Sequence, residues 1–597
     1  MQLIIRTIII LLLLQSSAWA GYSGSSPTWA TTPDYASVSD CVAAASSGDT
    51  IQVTAGDGSE AWPSQLTINK AVSIVGPGAS NLTITSGYTG TGNRIDASYY
   101  LIVYQPSSPN DTLFRISGFA FDMNWNSGFI ALINSSTTPA TKTRIDNNTI
   151  LNADQSICLK GHFYGVVDHN IITQESRAEL TISNYGTNST TWDNFTFSYG
   201  SANNMYYEDN IITFQNYIDH GLGGRSCFRY NTWIFSHSSL GAYPWIDAHG
   251  NMGTGGNYST MGFEFYGNKL TSTHNLGVGM IDQRGGKALV FYNDVVSSGA
   301  ISTKVREEIG DSYNPTTSAQ PQHVSDTYFW INKKNNSTEI SPSIASNVCA
   351  SYVNQITPIC PTIEDVYSVD DNDELHKYTA SFNGTSGMGC GSLANRPETC
   401  TTGVAYWATN QSCADLTGMV GANPATPISG TLYKCTTENV WTAYYTPYAY
   451  PHPLRSESVA DETAPAMLYF QIESGAETAT VGFSEAVTHG AGGNGGWALS
   501  LSGGACTATY ASGAGTSILA YTLSRPVLSN ETGTATYTQP GNGVEDSAGN
   551  DLATTSNAII NNRSLNPPAG VDNFKGSIKY NASGLAGKYN VNGMKIQ

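Results

Sequence analysis

Acidic, basic and imidazole side chains crowd into one part of the chain at spacings that invite proton chemistry. Asp219 and His220 precede Arg225, Asp247 and His249 follow, and Asp282, Arg284 and Lys287 come next. A β-elimination needs a cation to neutralise a carboxylate and a base to take the proton from the adjacent carbon. His220, Arg225, Asp247, His249, Asp282, Arg284 and Lys287 supply both types and are the candidate catalytic residues. Paired carboxylates such as Asp219 and Asp247 also suit acid–base hydrolysis. The competing explanation is structural: Asp and His beside Gly are common turn residues, and arginines on a stacked fold bridge its layers.

A second set is purely acidic. Asp146, Asp168 and Glu208 each stand two residues before an asparagine that closes a similar run of sequence. If those runs stack as neighbouring strands, the carboxylates lie about 4.8 Å apart and repel one another. Calcium, which takes several carboxylate oxygens in tolerant geometry, would relieve that repulsion. Lys142 and Arg144 would do the same as ion pairs.

Both sets depend on a repeat. GGRSCFRYNTWIF, from Gly223 to Phe235, is echoed by GGKALVFYNDVV, from Gly285 to Val296. Asn148, Asn170, Asn210, Asn231, Asn268 and Asn293 end such runs at separations of 22, 40, 21, 37 and 25 residues. A period slightly above twenty, with two longer units, marks a solenoid. The positions five and three before each asparagine hold small or apolar residues, such as Ser226 and Phe228 or Ala288 and Val290, and are expected to face the core. The positions six, four and two before are expected to face outward, which places Arg225 and Lys287 in one column two coils apart. The asparagines are expected in turns, stacked amide on amide and using their tolerance of left-handed backbone.

Ahead of the repeat, SVSDCVAAASSGDT fits one short helix. Ser37 and Asp40 suggest a capping box, Val38, Cys41, Val42 and Ala45 share a face, and Gly48 offers a stop. The first twenty residues, with Arg6 before the apolar run Thr7 to Leu14 and Ala18-Trp19-Ala20 at the end, are expected to be a removable signal peptide. No apolar run is long enough for a transmembrane segment. Net charge is -19, which disfavours nucleic acid as a partner and would also repel a polyuronate unless a cation intervened. Ten cysteines suit an oxidising compartment, and local spacing favours Cys349 with Cys360 and Cys400 with Cys435. A secreted or extracellular location, with cell-surface association as a variant of it, is the expectation.

The helical start, then DTIQVTAG and LTINKAVSIVGPG, then coils ending in N-x-I or N-x-W, resembles the right-handed parallel β-helix of the pectate-lyase-like superfamily from about Tyr35 to Asn332. The resemblance implies an all-β solenoid and an extended polysaccharide or cell-surface glycan as partner, with β-elimination as the reaction, and aspartates on adjacent coils holding calcium. It also covers non-catalytic proteins, so a surface or adhesion protein with the β-helix as a rigid spacer is the alternative. The polygalacturonase-like set of N-T-D, D-D, G-H-G and R-I-K is absent.

The remaining organisation is read as a β-helix over 21–345, a disulfide-containing β-rich module over 346–460 packed on the helix end, an Ig-like β-sandwich over 461–566 and a tail over 567–597. In the module, Trp407, Trp441, Tyr444, Tyr445, Tyr448 and Tyr450 offer a sugar-stacking platform or a core, and a core is the expectation.

Overall fold

The computed structural model describes residues 21–174, 181–186, 197–214, 217–235, 244–250, 258–272, 278–306, 308–309, 324–345, 348–349, 375–456, 465–472, 477–489, 496–514, 516–540, 543–546 and 551–561. The chain divides into two compact units, 1–457 and 458–597.

In the first unit the chain visits three sheets in turn and returns one layer further along, so sequence neighbours in each sheet lie a full coil apart. The first sheet has 13 strands, the second 11 and the third 10. Pairing between successive coils is parallel and mostly in register, for example Ile145 with Val167 in the first sheet, Ile150 with Ile172 in the second and Ile157 with Ile182 in the third. This is the expected parallel β-helix. Its lumen is filled by the inward residues of all three sheets, including Ile145, Val167, Tyr207, Phe228, Phe265 and Val290, each fully or almost fully buried.

The helix that closes the start runs from Tyr35 to Ala44. Its N-cap is Asp34, whose carboxylate accepts from the Ser37 backbone N–H at 2.9 Å, so the expected Ser37–Asp40 box gives way to a cap three residues earlier. Ala45 ends the helix, before Gly48 is reached. Val38, Cys41, Val42 and Ala45 are buried on one face, as their spacing requires.

The repeated asparagines form a continuous ladder between the first and second sheets. Asn148, Asn170, Asn210, Asn231 and Asn268 each donate their side-chain amide to the Oδ1 of the next at 3.0–3.1 Å, and Asn293 donates to Asn332 at 2.8 Å. They are buried. The left-handed backbone falls one residue earlier than expected, on Asn147, His169, Asp209, Tyr230, Gly267 and Tyr292. The turn residue bends the chain, which frees the asparagine to point inward and satisfy backbone groups above and below it.

The β-rich module was expected on the helix end; it lies instead along the flank, over the outer face of the first sheet. Trp407 and Tyr445 pack against Phe291 and Trp330, Ile428 donates its N–H to Tyr230, and Arg144 donates to the carbonyls of Leu454 and Arg455. Apolar residues in the outward column explain this. Tyr266, Phe291 and Trp330 stack ring on ring at 4.5 and 4.1 Å, a surface that water does not stabilise. Trp407 and Tyr445 are buried in the shared core, so packing is the main use of these aromatics. Cys400–Cys435 is bridged as expected, a Cys390–Cys413 bridge joins it, and the expected Cys349–Cys360 pair falls outside the described residues.

The second unit is a β-sandwich-like, mainly antiparallel assembly with its own core around Phe470, Trp497, Tyr521 and Tyr537.

Candidate functional site

Strand alternation sorts the candidate residues. They were expected in loops entering successive coils, yet His220, Asp247 and Asp282, with Asp219, lie on third-sheet strands Ile218–Gly221, Pro244–Ala248 and Val278–Gln283, and His249 and Arg284 follow the ends of two of them. In that sheet Asp219, Asp247 and Asp282 are in register on three adjacent coils. Alternate residues point the other way. His220 is therefore not on the outer face: it is fully buried, its Nε2 lies 2.9 Å from Ser226 Oγ, and burial lowers its pKa to about 3, which leaves a neutral imidazole.

The next outward positions carry His249, Arg284 and Arg306, and each pairs with the aspartate of the coil before. His249 Nε2 is 3.0 Å from Asp219 Oδ1, Arg284 binds Asp247, and Arg306 grips Asp282 at 2.6 and 3.0 Å. Two columns, one acidic and one basic, thus close diagonally along the sheet. Glu308 joins them, accepting from Arg284 at 2.7 Å and from the Gly250 N–H at 3.0 Å. Tyr185, one coil before Asp219, donates its hydroxyl to Asp219.

Electrostatics separates the two central carboxylates. Burial raises Asp247, more than His249 and Arg284 lower it. Burial acts on Asp219 as well, but there the hydrogen bond and charge of His249, with Tyr185 and Arg284, win and its pKa falls. His249 is itself held at about 10, because Asp219, Glu308 and Asp247 outweigh the burial that disfavours its charge. Two in-register carboxylates displaced in opposite directions by their surroundings are what acid–base pairs are built from.

Beside this pair opens a cavity of about 300 Å³, with Tyr185, Asp219, Gly221 and His249 on its sheet side and Ile95, Leu222, Gly250 and Tyr258 around them. Asp247 and His249 therefore meet at one site, with Arg284 behind them, while Asp282 belongs to the ladder further on. Arg225 and Lys287 do share a column across Gly262, but it is on the first sheet. Arg225 is buried beside Tyr164, to whose hydroxyl it donates at 2.9 Å, and Lys287 pairs with Asp326 at 2.7 Å. Neither belongs to the Asp219–Asp247 cluster.

Asp146, Asp168 and Glu208 are in register too. Their charges are met by arginine: Arg115 binds Asp146 through two hydrogen bonds of 2.7 and 2.6 Å, Arg144 binds Asp168 at 3.0 Å through both Nε and a terminal nitrogen, and Arg229 binds Glu208 at 2.7 Å. Arg455, from the module, reaches Glu208 at 2.9 Å. Oxygens committed to guanidinium groups in a covered seam do not fit a calcium site, and among the described residues no cluster of three or more His, Cys, Asp or Glu is placed to hold a metal.

Counting from the asparagines missed Tyr185, Glu308, Arg306 and Gly221. That count fixes the first sheet only, because loops of unequal length intervene before the third. Compared with known protein families and with curated proteins, the chain matches none.

Proposed function

We propose that this is an exported β-helix protein that binds a polysaccharide on the outer face of its third sheet and hydrolyses it with the Asp219–Asp247 pair. The observation that carries the reading is the opposite displacement of two in-register carboxylates around His249, of which Asp219, with His249, lines the cavity. Asp247 serves as the proton donor and Asp219 as the nucleophile or base. Neighbouring coils are about 4.8 Å apart, close to the roughly 5–5.5 Å between carboxyl groups in retaining glycosidases. Export is supported by the leader-like first twenty residues and two disulfides. No helix among the described residues is long and apolar enough to cross a membrane.

Elimination has less support. Arg284 is held by Asp247 and Glu308, His249 keeps its proton to about pH 10, and burial beside Asp219 pushes the Tyr185 hydroxyl well above 10. Neither His249 nor Tyr185 is then a free base at neutral pH. The net charge of -19 also favours a neutral sugar polymer over a polyuronate.

Incubation with a panel of neutral and acidic polysaccharides tests this. Hydrolysis releases reducing ends without the ultraviolet absorbance of unsaturated uronate, and Asp219→Asn or Asp247→Asn lowers the rate about 10²-fold or more with the fold kept. Absorbance would favour elimination. A protein that neither cleaves nor binds any member of the panel is better read as a surface spacer, which the separate β-sandwich-like unit would suit.

A further inference from the structure

The glycines around the site divide into two kinds. A Cβ on Gly224 would sit 2.3 Å from the Asn184 carbonyl oxygen, and one on Gly250 would sit 2.3 Å from that of Glu308. Those positions need glycine because backbone approaches backbone. Gly221 has no such need. A Cβ there would lie 3.4 Å from His249 Cβ and 3.6 Å from the Tyr185 ring, in ordinary contact, and its backbone is not in the left-handed region.

What Gly221 lacks is the side chain that the ladder would place there. In the column that carries His249, Arg284 and Arg306, Gly221 is the next position toward the start of the helix, between Tyr185 and His249. The charge ladder stops at it, and the cavity begins at it. Leu222, the next residue, is held at φ 52°, an uncommon conformation for a bulky side chain and one found where a site dictates the backbone.

The cavity is lined by the aromatic residues Tyr185 and Tyr258, the apolar residues Ile95 and Leu222, and the charged residues Asp219 and His249. Asp219 and His249 line the cavity and pair with each other at 3.0 Å, and His249 lies 3.5 Å from Glu308 on its other side. A carboxylate has lone pairs to spare beyond one such partner, so Asp219 can accept from a ligand hydroxyl. An anionic ligand would face the Asp219 carboxylate.

We propose that Gly221 makes a subsite for one neutral pyranose ring, stacked on Tyr185 with a hydroxyl donated to Asp219. This rests on the carbohydrate reading above and narrows it: the ion pairs from Asp247 to Arg306 fill the face beyond, so the site grips a single sugar unit at the end of the ladder.

The test is calorimetric titration of the full chain with a panel of methyl pyranosides, neutral (gluco, galacto, manno, xylo) and uronic. A neutral methyl pyranoside binds the wild type, Gly221→Val weakens it by at least about tenfold, and Gly221→Ala falls between, since each added carbon occupies space the ring needs. Arg306→Ala, further along the ladder, binds as the wild type does. Melting curves of the glycine variants that overlay the wild type show the fold intact. Preference for uronides, unchanged binding by Gly221→Val, or no pyranoside bound by the wild type would each overturn the subsite. Polymer hydrolysis that survives in Gly221→Val rejects the subsite and leaves the proposed function standing; wild-type binding of methyl pyranosides without hydrolysis of any polymer does the reverse.

Discussion

Two outer faces of one β-helix carry charged columns stacked in register, and they come to opposite ends. On the first sheet, Asp146, Asp168 and Glu208 meet Arg115, Arg144, Arg229 and Arg455 beneath the β-rich module, and Glu208 and Arg229 are wholly buried. On the third sheet, Asp219, Asp247 and Asp282 meet His249, Arg284 and Arg306, whose side chains keep 11–23 % of their surface exposed. The covered seam has every carboxylate oxygen occupied and acts as adhesive between helix and module. The third-sheet seam, partly exposed, ends at a glycine and a cavity. Stacking in register concentrates charge in both places, and the covering decides whether that charge holds structure or remains available to a ligand.

The comparison can be broken most forcefully at Arg229, which binds Glu208 and donates to the carbonyls of Tyr448 and Ala449. Arg229→Ala leaves Glu208 buried beside one fewer cation, and denaturant unfolding should show a loss of about 3–5 kcal/mol, with the module becoming more sensitive to protease. An effect below about 1 kcal/mol would mean that the seam is not the adhesive.

A smaller loss is expected in the asparagine ladder, which lies between the first and second sheets. Asn231→Ala strands backbone and amide partners at Asn210, Tyr207 and Asn268, costing about 1–3 kcal/mol in the same measurement.

At the partly exposed end of the third-sheet ladder, Arg306→Ala should cost less than about 1 kcal/mol. A value near that of Arg229→Ala would erase the distinction between the two faces.

The finest discrimination comes from pH. His249 is raised from 6.5 to about 10 in the folded chain, so its ion pairs contribute stability that is fully present below about pH 6.5 and fades as the pH rises through about 10. Melting temperature should decline across that window, and His249→Gln should flatten the decline. A variant with the wild-type slope would place the titrating group elsewhere.

The sequence by itself determined the solenoid, its period and the inward columns of the first sheet, because close packing in a parallel stack admits only small or apolar residues at alternate positions and the asparagine marks the same turn in every coil. It also determined that Asp219, Asp247, Asp282, His249 and Arg284 recur at coil-like intervals. Which of them meet was decided by the tertiary structure. Loops of unequal length separate the asparagine from the third sheet, so the alternation that sends His220 inward and Asp219 outward has no marker in the chain. The fate of the acidic column was likewise beyond local reading. Asp168 and Glu208 are closed by Arg455, more than 240 residues later, and a partner that distant is brought near only by the burial of Phe291, Trp330 and Trp407 in one core. Hydrophobic association has no fixed sequence separation, which is why the seam and the site, alike in sequence, part company only in the fold.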